Sequence, residues 1–265
     1  EGFAGPVDAS ASSTPAARLA MTTAGSGPRR GLQVTLDARE TPIPARCLAP
    51  FVPGFGRVGE DAGFQGVIRW SADVTEATAS AQGVLRGVDF AAVLPMGTPH
   101  RLAGTGTIEL GEWKWRGAKV VRLAGILRVK DGQVSPSLVD AAVTKLFCQR
   151  NSQTAADSAT ADMLPLDELA LRFELDGEGL LFTGQCPLTS AGVEGCLAVS
   201  RGQPLIVEPA YETFPSPTGK AFRFHLAHLV QALAAPAAIG VPASQEAIEI
   251  ARPLPLPPWR PSLIR

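Results

Sequence analysis

The chain has 265 residues with 24 Lys and Arg against 25 Asp and Glu, a formal net charge of −1, so no cationic excess exists to attract a phosphate polymer or an anionic membrane. Nucleic acid is excluded as a partner on that balance. Hydrophobic residues make up 45% and charged residues 18%, below the roughly 25% usual in globular domains, which excludes a disordered chain and leaves a sizeable core to bury.

Residues 1–30 are rich in Ala, Ser, Thr, Gly and Pro without periodicity and read as a flexible linker. Strand alternation begins at Gly31, with Leu32, Val34 and Leu36 set against Gln33, Thr35 and Asp37. Ile68, Trp70 and Ala72 repeat it, then Ala77, Ala79 and Ala81. A short helix is expected around Val88–Leu94. Leu102, Gly104, Gly106, Ile108 and Leu110 then share one side of a long strand, and Val121, Leu123, Gly125, Leu127 and Val129 share one side of the next, which Asp131-Gly132 is expected to end in a turn.

Leu169, Leu171, Phe173 and Leu175 continue the pattern, and Asp176-Gly177-Glu178-Gly179 turns the chain into Leu180–Cys186. Cys196–Ser200 and Leu205–Glu208 form a hairpin through Arg201-Gly202. No long parallel crossover separates these segments, so the topology is antiparallel. One helix is expected, where Leu226, Leu229, Val230 and Leu233 recur at i, i+3, i+4 and i+7 before Pro236. The most apolar stretch, Leu226–Val241, is too short to span a bilayer. The domain so defined covers residues 31–250, and 251–265 is a proline-rich tail.

Chemistry is sparse. His225 and His228 are spaced as a helical ligand pair, but no HExxH motif, Cys cluster or acidic third ligand accompanies them, so neither a metal nor another cofactor is expected. None of the three histidines goes with a Gly-x-Ser-x-Gly elbow, and Gly104-Thr-Gly106 lacks the Lys of a phosphate loop. Glu109 and Glu112, like Glu174 and Asp176, fall on polar faces or in turns. No catalytic residue is assigned. Trp113 and Trp115, alternating with Lys114 and Arg116, suit a core, a ligand platform or a membrane-interface edge. Four cysteines without a CxxC suit either buried thiols or disulfides: Cys186 and Cys196 flank a short loop, and Cys47 with Cys148 would make a long-range staple.

The segments Gly83–Leu94, Leu102–Leu110 and Leu123–Val134 together resemble a repeat unit of the AsmA superfamily, the group that includes TamB and YdbH-like envelope proteins. Such units run as a hydrophobic helix-like link, a Gly-x-Gly strand and a strand ending in a glycine turn. The resemblance covers about a quarter of the chain. It implies a mainly β fold, a curved antiparallel sheet forming a taco-like groove or half-barrel, with one helix near the C-terminus. It implies a periplasmic protein anchored to the inner membrane by a preceding segment, non-enzymatic, with phospholipid or another acyl lipid as ligand and other envelope proteins as partners. Leu102, Ile108, Leu110, Leu123, Leu127 and Val129 would line the lipid-binding face, and Gly104, Gly106 and Gly125 would permit curvature and close approach of acyl chains. Export in turn predicts a Cys186–Cys196 disulfide. The competing expectation is a closed β-sandwich serving as a binding or structural module of an exported protein.

Overall fold

The computed structural model describes residues 17–24, 31–52, 54–72, 77–94, 97–117, 119–151, 161–187, 192–213 and 222–233. Their strands are β1 (Arg18–Ala24), β2 (Gly31–Asp37), β3 (Ile43–Pro44), β4 (Gly63–Ala72), β5 (Ala77–Asp89), β6 (Leu102–Ala103), β7 (Thr105–Arg116), β8 (Lys119–Val134), β9 (Gln149–Arg150), β10 (Leu164–Asp176), β11 (Gly179–Gly184), β12 (Cys196–Ser200) and β13 (Gln203–Val207). All belong to one antiparallel sheet in the order β1-β2-β4-β5-β7-β8-β10-β12-β13-β9, with β3, β6 and β11 as side branches, and the sheet does not close. The fold is therefore mainly β and open. A closed sandwich is overturned: the ladder runs unbroken from one edge to the other, so the described strands supply no second sheet.

The alternation read from the sequence becomes rungs across the strands. Ile108, Leu127 and Leu171 form one rung, and Gly106, Val129 and Leu169 another, each crossing β7, β8 and β10 on the apolar face. The other face carries polar side chains, including the ion pairs Glu109–Arg128 and Glu112–Arg122. Being partly open to solvent, these contribute only modestly to stability. Bulges interrupt the β5–β7 and β7–β8 registers, between Ala81 and Gly83, Arg86 and Val88, Leu110 and Glu112, and Lys114 and Trp115. A bulge bends its strand locally and increases its twist.

Three local expectations need correction. Arg18–Ala24, inside the stretch expected to be a linker, is a strand paired with β2 over seven positions, placing Leu19 and Met21 opposite Leu36 and Val34. An unpaired β2 edge recruits it, which composition does not reveal. Asp131-Gly132 is not a turn: Asp131 takes a left-handed φ of 51°, yet β8 runs on to Val134 because β10 supplies partners for Gly132 and Gln133. The strand expected across Leu102–Leu110 breaks at Gly104, whose φ of +134° suits glycine. The rest of the expected linker, apart from Ala17, and the whole 251–265 tail lie outside the described residues.

Four helices accompany the sheet among the described residues: α1 (Ala45–Leu48), α2 (Phe90–Val93), α3 (Pro136–Lys145) and α4 (Leu226–Leu233). The sequence pattern anticipates α2 and α4. Helix α3 was not anticipated, although its start is well marked: Ser135 accepts a hydrogen bond from the Leu138 N–H at 3.4 Å, and Pro136 follows at the first helical position. One contiguous core runs along the apolar face, from Phe55 and Phe64 near one edge to Leu205 and Ile206 near the other.

Candidate functional site

The apolar face is covered at two places. Near the β4 side, α1 and the 3-10 turn Phe55–Arg57 press Phe55 against Phe64 and Trp113, with ring centroids 5.5 and 5.4 Å apart. Trp113 also meets Trp115 at 5.6 Å, and both indoles are buried. The two tryptophans are thus core residues. Near the other edge, α3 and α4 pack on each other and on the face of β10 to β13.

Beneath α3 and α4 lies a partly open cavity of about 250 Å³. Leu138, Val139 and Ala142 of α3 and Leu229 of α4 form its roof, while Leu166, Leu171 and Phe173 of β10, Phe182 of β11 and Leu205 of β13 are among its floor residues. Every lining side chain is apolar, Cys148 included. Such a space stays dry: a hydrocarbon-lined cavity of roughly 150 Å³ takes benzene rather than water. Left empty, 250 Å³ costs up to about 6 kcal/mol at ~24 cal/mol per Å³, an upper bound because this cavity opens to solvent. That is comparable with the whole stability of a domain.

The six residues expected to line a lipid face all lie on the apolar face or its β6 extension, but they divide. Leu102 lines the cavity. Leu110 and Val129 are buried in the continuous core, whereas Ile108, Leu123 and Leu127 are half-buried in the strip between the two covers. The glycines do not leave room for acyl chains. A Cβ on Gly106 would lie 2.9 Å from Phe90 Cε2, and one on Gly125 would lie 3.0 Å from Phe173 Cζ, so the chain's own aromatic rings occupy that space. A Cβ on Gly104 would likewise lie 2.9 Å from Val129 Cγ1.

Sequence reasoning missed the α3 part of the roof. Leu138, Val139, Ala142 and Leu146 recur at i, i+1, i+4 and i+8 behind the Ser135-Pro136 start, a helical signal overshadowed by the strand that precedes it.

His225 and His228 have ring centroids 6.4 Å apart, and among the described residues no three His, Cys, Asp or Glu side chains are grouped to hold a metal ion. The third histidine, His100, is buried with its Nδ1 3.1 Å from Ser137 Oγ. Ser137 in turn lies 3.0 Å from Ser135 Oγ and donates to the Pro99 carbonyl at 3.1 Å. These contacts tie the Pro99–His100 segment to the start of α3.

All four cysteines are free thiols in the structure: Cys47 is exposed on α1, Cys148 is buried in the cavity wall, and Cys186 and Cys196 are buried beside each other. The bridge expected between Cys186 and Cys196 is thus unformed here, although the two residues are brought together. Burial pushes the Cys148 thiol from 9.0 up to about 12. No family model, no curated protein and no solved structure matches this chain.

Proposed function

We propose that this chain is a non-enzymatic envelope protein that holds or passes acyl chains of phospholipid, or of another acyl lipid, along the apolar face of its open sheet. The observation that carries the reading is the partly open cavity beneath α3 and α4, about 250 Å³ and lined by apolar side chains. It adjoins the half-buried strip of Ile108, Leu123 and Leu127. A single open sheet with one apolar face leaves hydrocarbon surface available beside a dry cavity, and burying an acyl chain there yields roughly 0.8 kcal/mol per methylene. Membership of the AsmA superfamily, a periplasmic location, inner-membrane anchoring and transfer to other envelope proteins belong to the same proposal. Among the described residues no helix is long and apolar enough to cross a membrane.

Native mass spectrometry of gently purified protein tests this reading. Bound acyl lipid, displaced by a fluorescent fatty-acyl probe, is the expected result. Protein that is lipid-free and takes up no probe refutes the proposal.

A further inference from the structure

We infer that Cys186 and Cys196 are a redox-active pair that closes into an intramolecular disulfide when the chain meets a disulfide donor, clamping the ends of β11 and β12. This inference does not rest on the lipid reading.

Backbone geometry already places the two cysteines at bridging separation. The Cys186 N–H donates to the Cys196 carbonyl at 3.1 Å, and the Glu208 N–H donates to the Gly195 carbonyl at 2.9 Å. The Glu208 carboxylate reaches back to accept from the Gly184 N–H at 2.7 Å. A Cβ on Gly184 would lie only 2.2 Å from the Gly195 carbonyl carbon, so the two segments are as close as backbones come. A disulfide needs its Cα atoms within about 7 Å, and directly hydrogen-bonded neighbours meet that condition without moving either strand.

The side chains meet as well. Cys186 and Cys196 share a small buried cluster with Ala170 and Val199, apart from the main core. Cys196 Sγ donates to the Ala198 carbonyl at 3.2 Å and accepts from the Cys186 thiol. That thiol–thiol hydrogen bond, followed by burial, pushes Cys186 up, and the same hydrogen bond holds Cys196 below its ordinary range. One thiol thus keeps its proton while the other becomes the better acid, the asymmetry that favours exchange.

The chemistry balances with a donor disulfide R–S–S–R, whether glutathione disulfide or the disulfide of a thiol oxidase. Cys196, the more acidic of the two, attacks one donor sulfur as its thiolate and releases the first R–S⁻, to which the Cys196 proton passes. Cys186 then attacks Cys196 Sγ in the mixed disulfide and expels the second R–S⁻, which takes the Cys186 proton. Two protein thiols are oxidised to one disulfide, and the donor is reduced to two thiols.

The consequence falls on the cavity. Phe182 of β11 and Leu197 and Ala198 of β12 line it, so a bridge at 186–196 would fix two parts of its wall relative to each other.

Tryptic digestion tests the inference on the wild-type chain, because no Lys or Arg separates Phe173 from Arg201 and the peptide between cleavage sites contains both cysteines and no other. Fully reduced protein is incubated in glutathione buffers of increasing oxidised fraction, acid-quenched, denatured and alkylated. The expected result is a Phe173–Arg201 peptide about 2 Da lighter than its reduced form and free of alkyl groups, while Cys47 and Cys148 carry the alkyl label or glutathione. A peptide alkylated at both cysteines in the most oxidising buffer overturns the proposal. So does a mixture in which Cys47 or Cys148 pairs with either residue as often as they pair with each other.

Discussion

Gly125 stands directly opposite Phe173 in the β8–β10 ladder, and a Cβ added to it would lie 3.0 Å from Phe173 Cζ. The glycine is therefore a seat for an aromatic ring, in the manner of an aromatic side chain shielding a strand glycine. A Cβ there would also approach the Glu109 carbonyl oxygen to 2.3 Å. Gly125→Ala is expected to destabilise the protein by roughly 2–3 kcal/mol, because backbone on the neighbouring strand has to shift. Gly111→Ala, whose Cβ would find only the Ala124 carbonyl oxygen at 3.7 Å, should stay within about 0.5 kcal/mol of wild type. Urea unfolding of the two variants makes the comparison, and equal stabilities would refute this account of the glycine.

Burial depth along one strand separates an available face from a closed core. Leu127 is half-buried, and Val129, two residues on and on the same face, is fully buried. Leu127→Asp is expected to cost roughly 1–3 kcal/mol, leave the chain folded and abolish uptake of a fluorescent acyl probe. Val129→Asp buries an unpaired carboxylate and should cost more than about 4 kcal/mol. Thermal melts and probe binding are read together on both proteins. Leu127→Asp protein that fails to fold would count against the open strip.

Filling the cavity should uncouple binding from stability. Ala142 sits on α3 and lines the cavity, so Ala142→Leu occupies space otherwise open to ligand. Acyl-probe affinity is expected to fall by about tenfold or more, near 1.4 kcal/mol, while the melting temperature holds or rises. Unchanged affinity would place the lipid elsewhere.

The Cys148 thiol offers a pH test. It is harder to ionise in the folded chain, at about 12, than at its ordinary 9.0. Between those values the unfolded chain loses this proton and the folded chain keeps it, so this contribution is intact below pH 9 and is lost as pH rises towards 12. At pH 8, Ellman's reagent should react with exposed Cys47 at least about tenfold faster than with Cys148. Occupation of the cavity by a fatty acid should slow Cys148 further. Equal rates for the two thiols would show that the cavity wall is open.

Period-two alternation at Leu123, Leu127 and Val129, and at Leu169, Leu171 and Phe173, determined by itself that these segments are strands with one apolar side, because side-chain direction in a strand depends only on local geometry. The Asp176–Gly179 turn and helix α4 were legible for the same reason. Which rows become buried was decided by tertiary structure. Val129 and Leu127 have the same pattern in sequence, yet one is sealed in the core and the other half-buried, since that depends on which distant segments come to lie over each position. Strand β1 exists because β2 offers it an edge, and the roof of the cavity exists because Ser135 caps a helix that folds back over β10. Both are consequences of contacts between distant segments, to which a local hydrophobic period is blind.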